Sequence, residues 1–269
     1  MSQGYVQEIF SSFQGEGAAV AGSCYGLRQI FVRFSGCPLA LGVHGTKGCV
    51  WCDSPKSWSS TTEKCFVESQ PGSQKFKEVE NPLSAEDILN IIKKLRSKDL
   101  HSISFTGGEP LYQESFLESS INLLKENDFK IYLETAFTDN FDFLKSIARK
   151  VDYACVDVKD RTAEAALDWD KLIDQELQMC KILKDAGSKI YAKTVITKSS
   201  KEEDFEIIAR KCGNIGIPIV IQLVSPTERS KVKKPTWNQV NNFTQLAGKY
   251  LPADKIGISI QMHKAVEIL

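Results

Sequence analysis

Three cysteines stand close together early in the chain: Cys37, then Cys49 and Cys52 as a Cys-x-x-Cys pair. Three thiolates grouped in one loop can hold three irons of a cubane iron–sulfur cluster and leave the fourth iron open to an outside ligand, the metal ordering the loop as it binds. The same pair suits a tetrahedral zinc ion, with Cys65 or His44 completing the set. On the cysteines alone the two readings stand level. A second group shifts the balance: Gly107-Gly108-Glu109-Pro110 follows the short β-rich run Ser102–Thr106. Glycines at a strand end let backbone approach a ligand, and a sheet edge offers amide and carbonyl groups to an amino-acid moiety. A zinc knuckle has no use for either. Cys24, Cys155, Cys180 and Cys212 sit in apolar or helical contexts and read as core thiols.

The elements that must position these groups are legible from Ser84 onward. Ser84-Ala85-Glu86-Asp87 has the form of a capping box, and Ile88, Leu89, Ile92 and Leu95 recur behind it at helical spacing. Strand and helix then alternate: strand 102–106, helix 114–126, strand 130–134, helix 141–149, strand 153–158, helix 171–186, strand 189–196, helix 202–211, strand 218–224, helix 237–250 and strand 255–260. Such alternation predicts right-handed βαβ units and a parallel sheet, with the ligand beyond the carboxyl ends of its strands. Glu134-Thr135 and Asp157-Val158-Lys159 fall at those ends, as the glycine motif does, and Gln222 lies in the strand before Ser225-Pro226. The first 80 residues show one clear strand, 30–35. The polar, aperiodic stretch 55–82 reads as a long loop or insertion.

The chain has 269 residues, a formal net charge of zero and 42% hydrophobic residues, enough for a sizeable core. Nucleic-acid binding would call for a one-signed patch, and the only tight basic run, Lys231, Lys233 and Lys234, reads as a solvated loop. The opening residues lack a basic then apolar signal pattern, and no apolar stretch approaches the about 20 residues of a membrane helix. A cytoplasmic protein with neither nucleic-acid nor membrane partner is expected, and reduced thiols with it.

At Glu8-Ile9-Phe10 with Gln14-Gly15-Glu16-Gly17, at 31–37 (FVRFSGC), at 49–54 (CVWCDS), at 106–111 (TGGEPL) and at Glu134-Thr135, the chain resembles the radical S-adenosylmethionine (SAM) superfamily. More narrowly it is similar to the 7-carboxy-7-deazaguanine synthase family, with 261–264 (QMHK) a weaker likeness. The resemblance implies a single-domain α/β fold over 1–269: a modified, partial (β/α)6-type barrel of about six strands with a seventh at the C-terminus. It implies ring contraction of 6-carboxy-5,6,7,8-tetrahydropterin to 7-carboxy-7-deazaguanine with release of ammonia, in queuosine- or archaeosine-type 7-deazapurine biosynthesis. The cofactors would be a [4Fe-4S] cluster, SAM and Mg²⁺; a deoxyadenosyl radical would take hydrogen from the pterin and recover it afterwards. Carried over by position, Cys37, Cys49 and Cys52 ligate the cluster and Ser54 the Mg²⁺. Trp51, Gly107, Gly108, Glu109, Glu134 and Lys159 bind SAM. Gln14, Glu16, Arg33 and His263 grip the pterin, the arginine matching its carboxylate. A flavodoxin- or ferredoxin-type electron donor and a homodimer are also implied.

Four departures are visible: Ser54 stands where Thr is commoner, the end at 263–266 (HKAV) lacks a clear Gly-Arg tail, and two more concern spacing and the segment after Glu134. Eleven residues separate Cys37 from Cys49 where the superfamily commonly has three, and Thr135-Ala136-Phe137 replaces a more usual Thr-Asn-Gly. Rival readings are a glycyl-radical-enzyme activase, which often carries further cysteine sets, and a peptide-modifying radical SAM enzyme, which usually adds a cysteine-rich C-terminal domain. Residues 213–269 hold no cysteine. The non-enzyme reading is a zinc-stabilised binding module, which leaves the QGEG and GGEP motifs without a purpose.

Overall fold

The computed structural model describes residues 2–227 and 230–266. In chain order the elements are β1 (Gln3–Gly4), β2 (Val6–Phe13), β3 (Arg28–Phe34), β4 (Lys64–Glu68), β5 (Phe76–Glu80), β6 (Leu83–Ser84), α1 (Ala85–Leu95), β7 (Ser102–Gly107), α2 (Glu114–Glu126) and β8 (Ile131–Thr135). There follow α3 (Phe141–Ala148), β9 (Tyr153–Asp157), α4 (Trp169–Asp185), β10 (Lys189–Ile196), α5 (Glu202–Ile215), β11 (Ile219–Leu223), α6 (Trp237–Ala247), β12 (Ile256–Ser259) and the short α7 (Met262–Ala265).

One ten-stranded sheet runs β12-β11-β10-β9-β8-β7-β3-β2-β4-β5, and β1 pairs with β6 apart from it. The seven strands from β3 to β12 are parallel, six βα repeats and a seventh strand, as the alternation predicts. The barrel is open, since the sheet has two free edges. It nevertheless curls: Gly17 N, just beyond β2, donates to Ser259 Oγ at the end of β12, a 3.1 Å bond between strands seven places apart in the sheet.

Alternation along the strands divides the fold. Ile30, Val32, Phe34, Ile103, Phe105, Ile131, Leu133, Ala154, Val156, Ile219 and Ile221 enter the main apolar core with the helices, whose buried faces supply Ile88, Ile92, Leu117, Ile121 and Leu144. The intervening residues, among them Arg33, Thr106, Glu134, Asp157, Lys193 and Gln222, line the inside of the curl. A strand with period 2 can therefore satisfy a dry core on one side and a polar site on the other. Helix α1 starts where expected: Ser84 Oγ accepts from Asp87 N at 3.1 Å, and Asp87 Oδ2 accepts from Ser84 N at 2.9 Å.

The first 80 residues correct the sequence reading. Residues 55–82 are not a long loop; they open with a 3₁₀ turn (Pro55–Ser57) and form the β4–β5 hairpin, which extends the sheet past β2. Strand β4 has the alternation of a half-buried strand, Cys65 and Val67 in and Phe66 out, but buried Glu68 breaks the pattern. Its carboxylate accepts from Ser11 N at 2.9 Å and Gln74 N at 2.8 Å. Strand β2 is equally buried, and Ser11 and Ser12 mask it in sequence.

Candidate active site

The inside of the curl opens into a cavity of about 740 Å³, the size of a cofactor site. Every residue named above for the cluster, SAM, Mg²⁺ or the pterin borders it. Three structural devices gather them.

The first is the turn after β3. Gly36 (φ +92°) swings the chain so that Cys37 follows at the mouth of the cavity. Cys49 and Cys52 border the same mouth, and Trp58 Nε1 donates to Cys52 Sγ at 3.2 Å. Burial pushes the Cys49 thiol up to about 12 and raises Cys37, while the Lys159 ammonium draws both back toward thiolate. Among the described residues, no three metal-ligating side chains that include these sulfurs come within 4.8 Å of one another. One tetrahedral zinc would hold its thiolates about 3.8 Å apart, from Zn–S bonds of about 2.3 Å; the all-sulfur triad suits a larger cluster. Of the residues expected to complete a zinc site, Cys65 lies elsewhere and His44 is turned to an aromatic neighbour. Cys65 is in the main core, and the His44 ring packs edge-on against Phe137 at 4.9 Å.

The second device is the end of β7. A Cβ on Gly107 (φ +120°) would stand 2.4 Å from Phe34 N, and one on Gly108 2.2 Å from Gly36 O. The room these glycines leave is thus taken by the turn that carries Cys37, so the motif packs β7 against that turn. Glu109, 2% exposed, accepts from Leu111 N (3.0 Å), Thr135 Oγ1 (2.6 Å), Ala136 N (2.8 Å) and Phe137 N (3.0 Å). Its carboxylate is the clasp between the ends of β7 and β8. Trp51 packs beside Phe137 and Leu39 in a small apolar cluster at the same mouth.

The third is the segment 14–17 beyond β2. Gln14 spends its amide on the loop, accepting from Glu16 N (3.1 Å) and donating to Gln29 Oε1 (3.1 Å). Met262 N donates to Gly15 O at 2.8 Å, and His263 packs so closely over Gly15 that a Cβ there would lie 2.3 Å from Nδ1. Gln261 Nε2 bridges Glu16 Oε1 (2.6 Å) and Asp53 Oδ2 (2.7 Å), and Lys264 Nζ reaches Asp53 Oδ2 at 3.0 Å. Asp53 is held well below the usual carboxylate range: burial would raise it, but Lys264, Gln261 and Arg33 prevail. Glu16, Asp53 and His263 bring ligand atoms within 4.8 Å of one another. Ser54 Oγ lies 3.8 Å from Cys52 Sγ.

Between these devices lies a network of buried charges. Lys193, 4% exposed in β10, contacts Glu16, Glu134 Oε1 (2.7 Å) and Asp157 Oδ2 (3.8 Å). Lys159 Nζ holds the same Asp157 oxygen at 2.8 Å, and Thr106 Oγ1 donates to Glu134 Oε2 at 2.8 Å. Arg33 Nε pairs with Glu8 Oε1 at 2.6 Å. Burial opposes every charge here, yet Glu134 and Asp157 stay below the usual carboxylate range beside their lysines, and Lys159 and Lys193 well above the usual lysine range. Among the described residues, Asp157 Oδ1 and Gln222 Oε1 have no partner and lie buried in the cavity wall. An orphaned acceptor costs free energy unless a ligand donor meets it, so the wall suits a ligand rich in N–H and O–H groups, as an amino acid, a ribose and a pterin are. Sequence reasoning assigned no role to Lys193, Asp53, Gln261 or Glu8. The signal for Lys193 was the single charge inside the otherwise uncharged strand 190–196, where an unpaired charge is costly.

A model of the radical SAM superfamily matches residues 34–212. The 7-carboxy-7-deazaguanine synthase of Thermococcus kodakarensis is 36% identical over 263 residues, 97% of this chain and 98% of the relative. That of Methanocaldococcus jannaschii is 34% identical over 271 residues, 98% of this chain and all of the relative. Among solved structures, QueE from Escherichia coli superposes with a TM-score of 0.56 at 19% identity, covering 97% of this chain and 95% of that one, a likeness of fold.

Proposed function

Because the chain belongs to the radical SAM superfamily and, within it, to the 7-carboxy-7-deazaguanine synthase family, we propose a reading of its site residue by residue. The enzyme contracts 6-carboxy-5,6,7,8-tetrahydropterin to 7-carboxy-7-deazaguanine with release of ammonia, a step of 7-deazapurine biosynthesis. It does so with a [4Fe-4S] cluster, SAM and Mg²⁺. When bound and reduced, the cluster and SAM supply the radical that removes hydrogen from the pterin.

Cys37, Cys49 and Cys52 hold the cluster, and the Trp58 N–H steadies one of its sulfurs. Trp51 lies against adenine. The Gly107–Glu109 segment offers the methionine amine its backbone and the charge of Glu109, while Glu134 and Lys159 take the ribose and carboxylate. At the other end Arg33 meets the pterin carboxylate, and Glu16 and His263 meet its ring, with Gln14 holding Glu16 in place. Ser54 gives an oxygen to Mg²⁺, whose hard character fits oxygen donors. The observation that carries this reading is that the cysteine turn and the QGEG–His263 end border one cavity.

Arg33→Ala separates the halves of the proposal. SAM cleavage by the reduced enzyme should persist while the KM for the pterin rises at least tenfold, the scale of a lost charge-assisted contact. An unchanged KM would remove Arg33 from the substrate site.

A flavodoxin- or ferredoxin-type donor, a homodimer and a cytoplasmic setting complete the proposal. No helix among the described residues is long and apolar enough to cross a membrane. Sedimentation showing a fully active monomer would remove the dimer.

A further inference from the structure

Lys193 stands where the two halves of the cavity meet. It comes from β10, and its three carboxylate partners come from three other places: Glu134 from β8, Asp157 from β9, and Glu16 from the segment that crosses to β12. Two of those partners look in different directions. Glu134 is bound on its other oxygen by Thr106 of β7, beside the glycine motif. Glu16 is bound on its other oxygen by Gln261, beside Asp53 and His263. A single side chain, 4% exposed, therefore fixes one acid at each end.

The geometry points to Lys193 as a positioning residue that couples the binding of SAM to the binding of the pterin. This inference rests on the site assignment above. Order imposed on Glu134 by a ribose hydroxyl fixes the ammonium, and the ammonium in turn fixes Glu16. The second ligand then meets a carboxylate whose rotamer is already set, so the ordering cost is met once for two events. Coupling of this kind is reciprocal and needs no movement of the fold.

The test is SAM affinity with and without a substrate analogue, read from labelled SAM retained at equilibrium by the cluster-loaded protein. The probe is 6-carboxypterin, which has no hydrogen on C6 to lose and cannot turn over. In the native enzyme saturating 6-carboxypterin should tighten SAM about tenfold, within the usual range of coupling. In Lys193→Met the effect should fall to within about twofold of none. Thr106→Val is the control: it removes the other bond to Glu134, so SAM alone should bind more weakly while the tenfold coupling stays.

No coupling in the native enzyme, full coupling in Lys193→Met, or equal loss in Thr106→Val would each overturn the inference. Should Lys193→Met not fold, Glu16→Gln tests the same link from the far end. It leaves the ammonium to Glu134 and Asp157, competing with the ribose, and SAM alone should bind at least threefold more weakly. Unchanged SAM affinity there would overturn it. The same samples are assayed for product: product with full coupling in Lys193→Met removes only the role of Lys193. Coupling without product removes the proposed reaction and leaves the link standing.

Discussion

Glu109 illustrates how much a single side chain can do besides meeting a ligand. Four donors converge on its carboxylate, and all favour the anion, while burial pushes the carboxyl up to about 7. A folded-state value above the usual one means the folded protein holds the proton more tightly than the unfolded chain. Stability from this group is complete below about pH 4.5 and declines as pH rises through about 7. Between pH 6 and 8 the wild type should lose about 1 kcal/mol relative to Glu109→Gln, which has no proton to release. Urea unfolding of both proteins at the two pH values reads this directly, and parallel curves would contradict it. Trp58 makes a similar argument for the cluster. An N–H···S bond stabilises the more negative, reduced form, so Trp58→Phe should lower the reduction potential measured by titration followed with EPR. An unchanged or higher value would count against the bond.

At the scale of elements, α4 positions the site from behind. Trp169 Nε1 donates to Lys159 O at 2.7 Å, and Glu176 Oε2 accepts from Lys159 N at 2.9 Å. The two side chains are seven residues apart, hence on one face of the helix, and together they grip both backbone polar groups of Lys159, just beyond the end of β9. Trp169→Phe keeps the ring and loses the bond. It should cost about 1 kcal/mol in stability and raise the KM for SAM, with kcat little changed. A normal KM would show that Lys159 does not need the clamp. What the sequence made legible follows the same logic of elements. Helices α1 and α2 and strands β7 to β11 show because the face each turns to the main core is largely apolar, so helical spacing and alternation identify them. Strands β2 and β4 do not show, because polar Ser11, Ser12 and Glu68 are buried there, Ser11 and Glu68 hydrogen-bonded to each other across the two strands. The motif residues were legible as a set, and the structure brings them to one cavity. Their partners were not: Lys193, Gln261 and Glu8 acquire their meaning from contacts with residues many positions away along the chain.

For the whole molecule, the open barrel poses a problem that the termini solve. A sheet with two free edges leaves the inside of its curl accessible, and the segment 14–17 crosses it to meet β12 and α7 through Gly17–Ser259 and Gly15–Met262. A Cβ on Gly257 would stand 2.3 Å from the Ala18 methyl, so the closure is packed as well as hydrogen-bonded. The segments 14–16 and 261–264 thus form one wall of the cavity. Gly257→Val should force that wall apart, lowering stability by about 1–3 kcal/mol and weakening pterin binding more than SAM binding, as equilibrium titrations of each ligand would show. An equal effect on both would mean that the wall does not belong to the substrate end.

The central claim is that this cavity performs radical ring contraction on a pterin. The most direct measurement is anaerobic incubation of the reconstituted, reduced protein with SAM and 6-carboxy-5,6,7,8-tetrahydropterin, followed by mass spectrometry. The expected result is 7-carboxy-7-deazaguanine, formed by the native chain and absent with Cys49→Ala. SAM cleavage without that product, or no reaction from a fully cluster-loaded sample, would contradict the account.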